Sequence, residues 1–274
     1  MSELARRTGP VSRVKVGEHD ATGEHPREDV VAAEEPLEIR LTWPGSPAQR
    51  AWVTMRTPGH DFELAAGWVV HEGLLRLDAL SGVAYCTDTD LAPEQEFNVV
   101  TVTASEPVDL VHRHAGLSSG SSACGVCGKD SIDAVLTTVR GARWEGPAAD
   151  PDVVRRLPGL LREGQDVFGR TGGVHAAGLF SADGDQHVVR EDVGRHNAVD
   201  KVTGARVLAG ESPAAAYLVV SGRAGFELVQ KGVAAGVGSL VSVGAPTSLA
   251  VHLAREAGLG LYGFTSGTRT VRYA

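Results

Sequence analysis

Three apolar runs decide the fold: Tyr217-Leu218-Val219-Val220, Leu240-Val241-Ser242-Val243 and Leu259-Gly260-Leu261-Tyr262-Gly263-Phe264. Each is continuous rather than alternating, the pattern of a strand buried on both faces. Between them, Phe226 to Val237 and Ser248 to Ala257 carry apolar residues at helical spacing. Strands alternating with helices imply a parallel sheet with right-handed crossovers. Just upstream, Val174 to Ser181 and Gln186 to Arg190 read as two strands of a hairpin around Ala182-Asp183-Gly184-Asp185. Helices are expected over His196 to Val207 and near Asp152 to Glu163.

The first half is less regular. Glu38 to Met55 reads as a β-hairpin with a long turn at Pro44-Gly45-Ser46-Pro47. Asp61 looks like the N-cap of a helix carrying Phe62, Ala65, Ala66, Val69 and Val70 and ending near Gly73. Phe97 to Thr103 is β-branched and reads as a strand. The opening is polar and aperiodic. The chain therefore divides into a polar disordered arm (1–34), a smaller α+β N-terminal domain ending in a Cys-x-x-Cys loop (35–140), and an α/β domain (141–274).

The 274 residues include 26 Lys plus Arg and 34 Asp plus Glu, a net charge of −8. That balance argues against a nonspecific nucleic-acid or membrane-surface binder, since both need basic patches. No run approaches the roughly 18 apolar residues of a membrane span. The start, MSELARRTGP, has no apolar region behind it, so no secretory signal is expected. Three cysteines form no disulfide framework, which points to a reducing cytoplasm.

The strongest chemical feature is Cys124-Gly125-Val126-Cys127-Gly128-Lys129. Ile132, Val135, Leu136 and Val139 follow at helical spacing, which would put Cys127 at a helix N-terminus. Backbone N–H groups, the helix dipole and Lys129 would stabilise a thiolate there, the nucleophilic form of cysteine. Three readings compete. The pair could be two small buried thiols, although glycines and serines flank it. It could bind zinc with His112 and His114, although that spacing matches no standard finger. It could be a reactive pair for sulfur carriage or thiol exchange, which suits its surroundings best.

Two segments carry histidines. In Thr171-Gly172-Gly173-Val174-His175-Ala176-Ala177 the histidine heads a strand, as either a satisfied core residue or a functional one. Glu191 to Lys201, EDVGRHNAVDK, is either a helix start with a solvated face or a functional cluster. In open α/β sheets, ligands bind beyond the carboxyl ends of the strands. Here those ends are Ser221-Gly222-Arg223, Gly244-Ala245-Pro246 and Phe264-Thr265-Ser266-Gly267-Thr268-Arg269. Their hydroxyls, backbone N–H groups and arginines suit a phosphate-bearing ligand. No P-loop and no G-x-G-x-x-G is present.

Taken together, C-G-x-C-G-K at 124–129, TGGVHAAG at 171–178, EDVGRHNAVDK at 191–201 and SGRAGFELVQKG at 221–232 resemble the FdhD/NarQ family, formate dehydrogenase accessory sulfurtransferases. TPGHDFELAAG at 57–67 fits as well. The resemblance implies an enzyme that receives persulfide sulfur from a cysteine desulfurase. It would pass that sulfur to the molybdenum bis(molybdopterin guanine dinucleotide) cofactor, its bound cargo, for formate dehydrogenase. Cys124 and Cys127 map onto the family's cysteine pair, and Phe264 to Arg269 onto its cofactor-binding segment. A cytidine-deaminase-like three-layer α/β/α domain and a homodimer are further implications. Zinc deaminases need H-x-E followed by a downstream P-C-x-x-C. Here His175-Ala176-Ala177 lacks the glutamate and no cysteine follows Cys127. Deamination by that chemistry is excluded, and no zinc is expected. A thiol–disulfide oxidoreductase and a noncatalytic cofactor-binding chaperone are the alternative functions.

Overall fold

The computed structural model describes residues 8–86, 96–110 and 143–274. Cys124, Cys127 and the helix expected behind them lie outside the described residues, as does the proposed boundary near residue 140.

The chain opens with an antiparallel ribbon, β1 (Val11–Asp20) and β2 (Gly23–Ala32). This corrects the expectation of a disordered arm across residues 11–32. Most of their side chains are polar and exposed, so composition hid them. The turn is set locally: Asp20 Oδ1 accepts from the Thr22 N–H at 2.6 Å, and Gly23 takes a φ of 130°.

β3 (Glu35–Trp43), β4 (Ser46–Arg56), β5 (Leu80–Tyr85) and β6 (Val99–Ala104) form a four-stranded sheet ordered β4-β3-β6-β5. The β3–β4 turn is tight, not long: Gly45 adopts φ 82°, which brings Trp43 opposite Ser46. Alternate residues Leu37, Ile39 and Leu41 face one side, where they bury against Leu64, Trp68 and Val69 of α1 (Asp61–His71). Trp52 stacks on Trp68 with centroids 5.1 Å apart. Asp61 is not the N-cap. His60 holds that position in a left-handed conformation, and the Asp61 carboxylate turns inward to Arg56, 2.9 Å from its Nε. Burying that arginine needs a charged partner, which outweighs capping.

The larger unit is a six-stranded sheet ordered β12-β11-β10-β9-β7-β8. α2 (Pro151–Glu163) and α3 (Asp166–Thr171) precede β7 (His175–Phe180) and β8 (Gln186–Asp192). Then come α4 (Arg195–Leu208), β9 (Tyr217–Val220), α5 (Phe226–Ala235), β10 (Ser239–Ser242), α6 (Ser248–Ala257), β11 (Gly260–Ser266) and β12 (Arg269–Arg272). β9, β10 and β11 are parallel, as their continuous apolar runs predict. Side chains alternate between two cores. Phe180, Tyr217, Val219, Val241 and Tyr262 pack on α2, whereas Leu179, Leu218, Val220, Leu240 and Leu261 face α4, α5 and α6. The result is three layers, helix on both faces of a sheet. Among the described residues no helix is long and apolar enough to cross a membrane.

Candidate functional site

The two sheets meet where α1 crosses α4, and glycine sets the distance. A Cβ on Gly67 would overlap the Asp200 carbonyl oxygen, and one on Gly204 would overlap the Glu63 carbonyl oxygen. The segments TPGHDFELAAG and EDVGRHNAVDK thus come together as two faces of one joint. Asp192, Asp200 and Lys201 are buried, so the second segment's charges do not form one solvated face. Lys201 Nζ lies 2.7 Å from Asp192 Oδ2 and donates to the Thr57 carbonyl at 2.9 Å. Asp192 also accepts from the Thr57 and Gly194 N–H groups and from Asn197. Lys231 Nζ donates to Asp200 Oδ1 at 2.6 Å, beside His71 Nδ1. Burial pushes the His71 imidazole below its ordinary range, against the pull of Asp200. Burial opposes charge on Asp200, but Lys231 and His71 outweigh it and keep the carboxyl low.

Glu63 carries a second link. Arg190 of β8 donates to both of its oxygens, and His60 Nδ1 lies 3.1 Å away. Burial raises the Glu63 carboxyl, but these partners win and bring it down from 4.5 to about 2. A carboxyl depressed by folding stabilises the protein above its unfolded value and loses that contribution as pH falls toward its folded one. Stability should therefore fall between about pH 4.5 and 2, and Glu63→Gln should flatten that part of the profile. Urea unfolding at stepped pH checks this; parallel wild-type and variant curves would refute it.

Beyond the joint lies the rim. Because β7 is antiparallel to β9, its first residue, His175, stands at the end where β9 gives way to Ser221. The strand-end loops are stitched together. Gly244 N donates to Gly222 O and Phe264 N to Gly244 O, both at 3.0 Å. Ala224 N donates to Ala245 O at 3.2 Å. Ser221, Arg223 and Phe264 are thereby gathered on one edge. The Ser221 hydroxyl accepts from the Ala176 N–H at 2.9 Å. Phe264 holds a φ of 50° and is 45% exposed, with the Arg269 guanidinium 5.6 Å from its ring centre. Strain of this kind in a non-glycine residue persists only where the surrounding structure holds it. Ser266, Gly267, Thr268 and Arg269 are exposed on the β11–β12 turn. Thr265 departs from the sequence reading. Its side chain is buried and bonded to Thr270 at 3.0 Å, so its hydroxyl faces away from solvent.

Three helices, α4, α5 and α6, begin at this rim. Gly194 and Gly225, which precede the first two, offer no side-chain cap. Uncapped N-terminal N–H groups and aligned dipoles favour an anion. The sequence reading left the roles of His175 and His196 open, and it did not single out Glu227. His196 Nε2 lies 2.8 Å from Glu227 Oε2, close but off the line of a hydrogen bond. His196 holds the Glu227 carboxyl below its usual range. Burial, then Arg195 and His196, lower the His175 imidazole, which favours its neutral form. Their signal in the sequence was position alone: each falls in the first turn of a helix or at the head of a strand.

A cavity of about 470 Å³ lies at the opposite end of the strands, among Trp144, Tyr217, Tyr262 and Arg272. It adjoins the C-terminal ends of α5 and α6, where helix dipoles are negative. At the rim the helices present their N-termini instead.

The model of the FdhD/NarQ family matches residues 32–274. The chain belongs to the FdhD/NarQ family. It is 47% identical over 254 residues to the Sulfur carrier protein FdhD of Streptomyces avermitilis, covering 90% of this chain and 88% of the relative. The protein of the same name from Streptomyces coelicolor is 48% identical over 259 residues, with the same coverage. The crystal structure of a candidate formate dehydrogenase accessory protein from Desulfotalea psychrophila superposes with a TM-score of 0.72. It covers 96% of each chain at 21% identity, a likeness of fold. All of the β1–β2 ribbon except its last residue, Ala32, precedes the family match.

Proposed function

We propose that this protein carries sulfur for formate dehydrogenase, as the names of its FdhD/NarQ relatives suggest. In this reading the Cys124 thiolate attacks the sulfane sulfur of a cysteine desulfurase persulfide. A new S–S bond forms at Cys124, and the desulfurase leaves as its thiolate. Cys127 assists. The rim holds the substrate, the molybdenum bis(molybdopterin guanine dinucleotide), to which the sulfur passes. The observation that carries the rim's part is the meeting of uncapped α4 and α5 N-termini with Arg223 and Arg269 on one edge. The three layers of the larger unit support a cytidine-deaminase-like fold. A cytoplasmic homodimer without zinc completes the proposal.

Incubation with a desulfurase and cysteine should add one or more sulfur atoms to the intact mass, reversed by dithiothreitol. Cys124→Ala should abolish productive transfer, Cys127→Ala should impair it less, and Cys86→Ala should do little. Cys86 sits at the end of β5 with Arg40 Nη1 3.7 Å from its sulfur, on the small sheet. Arg269→Ala should leave loading intact and weaken guanosine diphosphate binding by on the order of 1–3 kcal/mol. Client activation unchanged by Cys124→Ala would overturn the assignment. Cofactor binding without any sulfur gain would favour a noncatalytic chaperone.

A further inference from the structure

We propose that Glu227 reads the guanine base at the rim, with His196 as its positioning residue. This rests on the rim being the guanine nucleotide site. The rim is built almost wholly of donors: Arg195, Arg223, Arg269, hydroxyls and helix N–H groups. Donors serve phosphates, but the Watson–Crick edge of guanine offers two N–H donors side by side, N1–H and the N2 amine. Two parallel donors require a paired acceptor, and a carboxylate is the side chain that supplies one.

The rim segments, residues 171–176, 191–197, 221–228, 243–249 and 264–269, contain three carboxylates: Glu191, Asp192 and Glu227. Glu191 spends both oxygens on the N–H groups of Val167 and Phe168, each at 2.8 Å. Asp192 is fully buried and spends both oxygens on Lys201, Thr57, Gly194 and Asn197. Glu227 differs. Its side chain is 46% exposed, one oxygen rests against His196, and Oε1 has no partner among the described residues. A carboxylate with an open oxygen at the mouth of an anion site repels phosphate. It belongs where the ligand presents N–H groups, at the base. His196, in the first turn of α4, fixes the side chain from behind. Adenine would be rejected, because its N1 lone pair would face the carboxylate and leave both unpaired.

Calorimetry with guanosine, adenosine and xanthosine diphosphates tests this on the full chain. Wild type should bind guanosine diphosphate about tenfold or more tightly than the other two. Xanthine carries a carbonyl where guanine has its amine, so the amide of Glu227→Gln can donate to it. This near-isosteric variant should lose about tenfold for guanosine diphosphate and gain as much for xanthosine diphosphate. His196→Ala should weaken guanosine diphosphate without creating the xanthosine preference. A gain for xanthosine cannot come from misfolding. Guanosine diphosphate bound equally by wild type and Glu227→Gln, with no gain for xanthosine, would overturn the base-reading role and leave the rim as a phosphate site. Failure of wild type to bind any of the three would overturn the rim reading as well.

Discussion

Gly204→Ala is expected to cost on the order of 3 kcal/mol or more, lowering the melting temperature by roughly 6–12 °C. The added methyl would overlap the Glu63 carbonyl oxygen and stand too near the Gly67 N–H. Both are backbone atoms inside α1, which cannot rotate aside as a side chain can. The helices must separate, and the pairs beside the crossing, Arg190 with Glu63 and Lys231 with Asp200, move with them. Gly67→Ala should behave alike, since its methyl meets the Asp200 carbonyl. Gly159→Ala is the internal control: it lies exposed in α2 with nothing within 4 Å of its added methyl. It should be neutral or stabilise by up to about 1 kcal/mol. Thermal unfolding followed by circular dichroism measures all three. A Gly204→Ala melt matching wild type would show that the two helices do not touch as described.

Removing the Asp192 carboxylate should be nearly as damaging. Asp192→Ala would leave the Lys201 ammonium buried with only the carbonyls of Thr57 and Glu191. Breaking a buried pair on one side costs about 3–5 kcal/mol, because the remaining charge is uncompensated. The same substitution orphans the N–H groups of Thr57 and Gly194. Removing both charges together, in Asp192→Ala with Lys201→Met, should recover part of the loss. Denaturant midpoints at a constant slope would measure this. A shift of less than about 1 kcal/mol for Asp192→Ala would contradict the burial of the pair.

The larger unit was legible because its strands are short, apolar and fully buried, and amphipathic or apolar helices separate them. Such runs as Tyr217 to Val220 have few alternatives. The ribbon at residues 11–32 was hidden because most of its side chains are polar and exposed, and apolar alternation is confined to Val14-Lys15-Val16. The β5 strand was missed because Gly82, Ala84 and Ser81 carry little strand preference, and pairing with β6 makes it. The gathering of the strand-end loops on one edge was legible from topology, because parallel strands end on the same side. The burial of the Thr265 side chain was not legible, because period-2 burial at a strand end is set by the bulge after Gly263, which no local pattern shows. EDVGRHNAVDK looked like a single charged cluster. The fold divides it: Asp192, Asn197, Asp200 and Lys201 go to the joint, while Arg195 and His196 go to the rim. Sequence spacing cannot separate those roles, because the deciding neighbours, Thr57 and Glu227, lie on other elements.

The glycine crossing also has a history in time. Gly204 follows Gly67 by 137 positions. A ribosome adding about 5–20 residues per second needs roughly 7–27 s to cover that distance. During those seconds the outer face of α1 is finished but has nothing to lie against. His71 and Glu63 wait without their partners, and the flat glycine surface stays wet. Nascent chains of this protein therefore pass through a defined interval of vulnerability. It closes when α4 has emerged and covers that face.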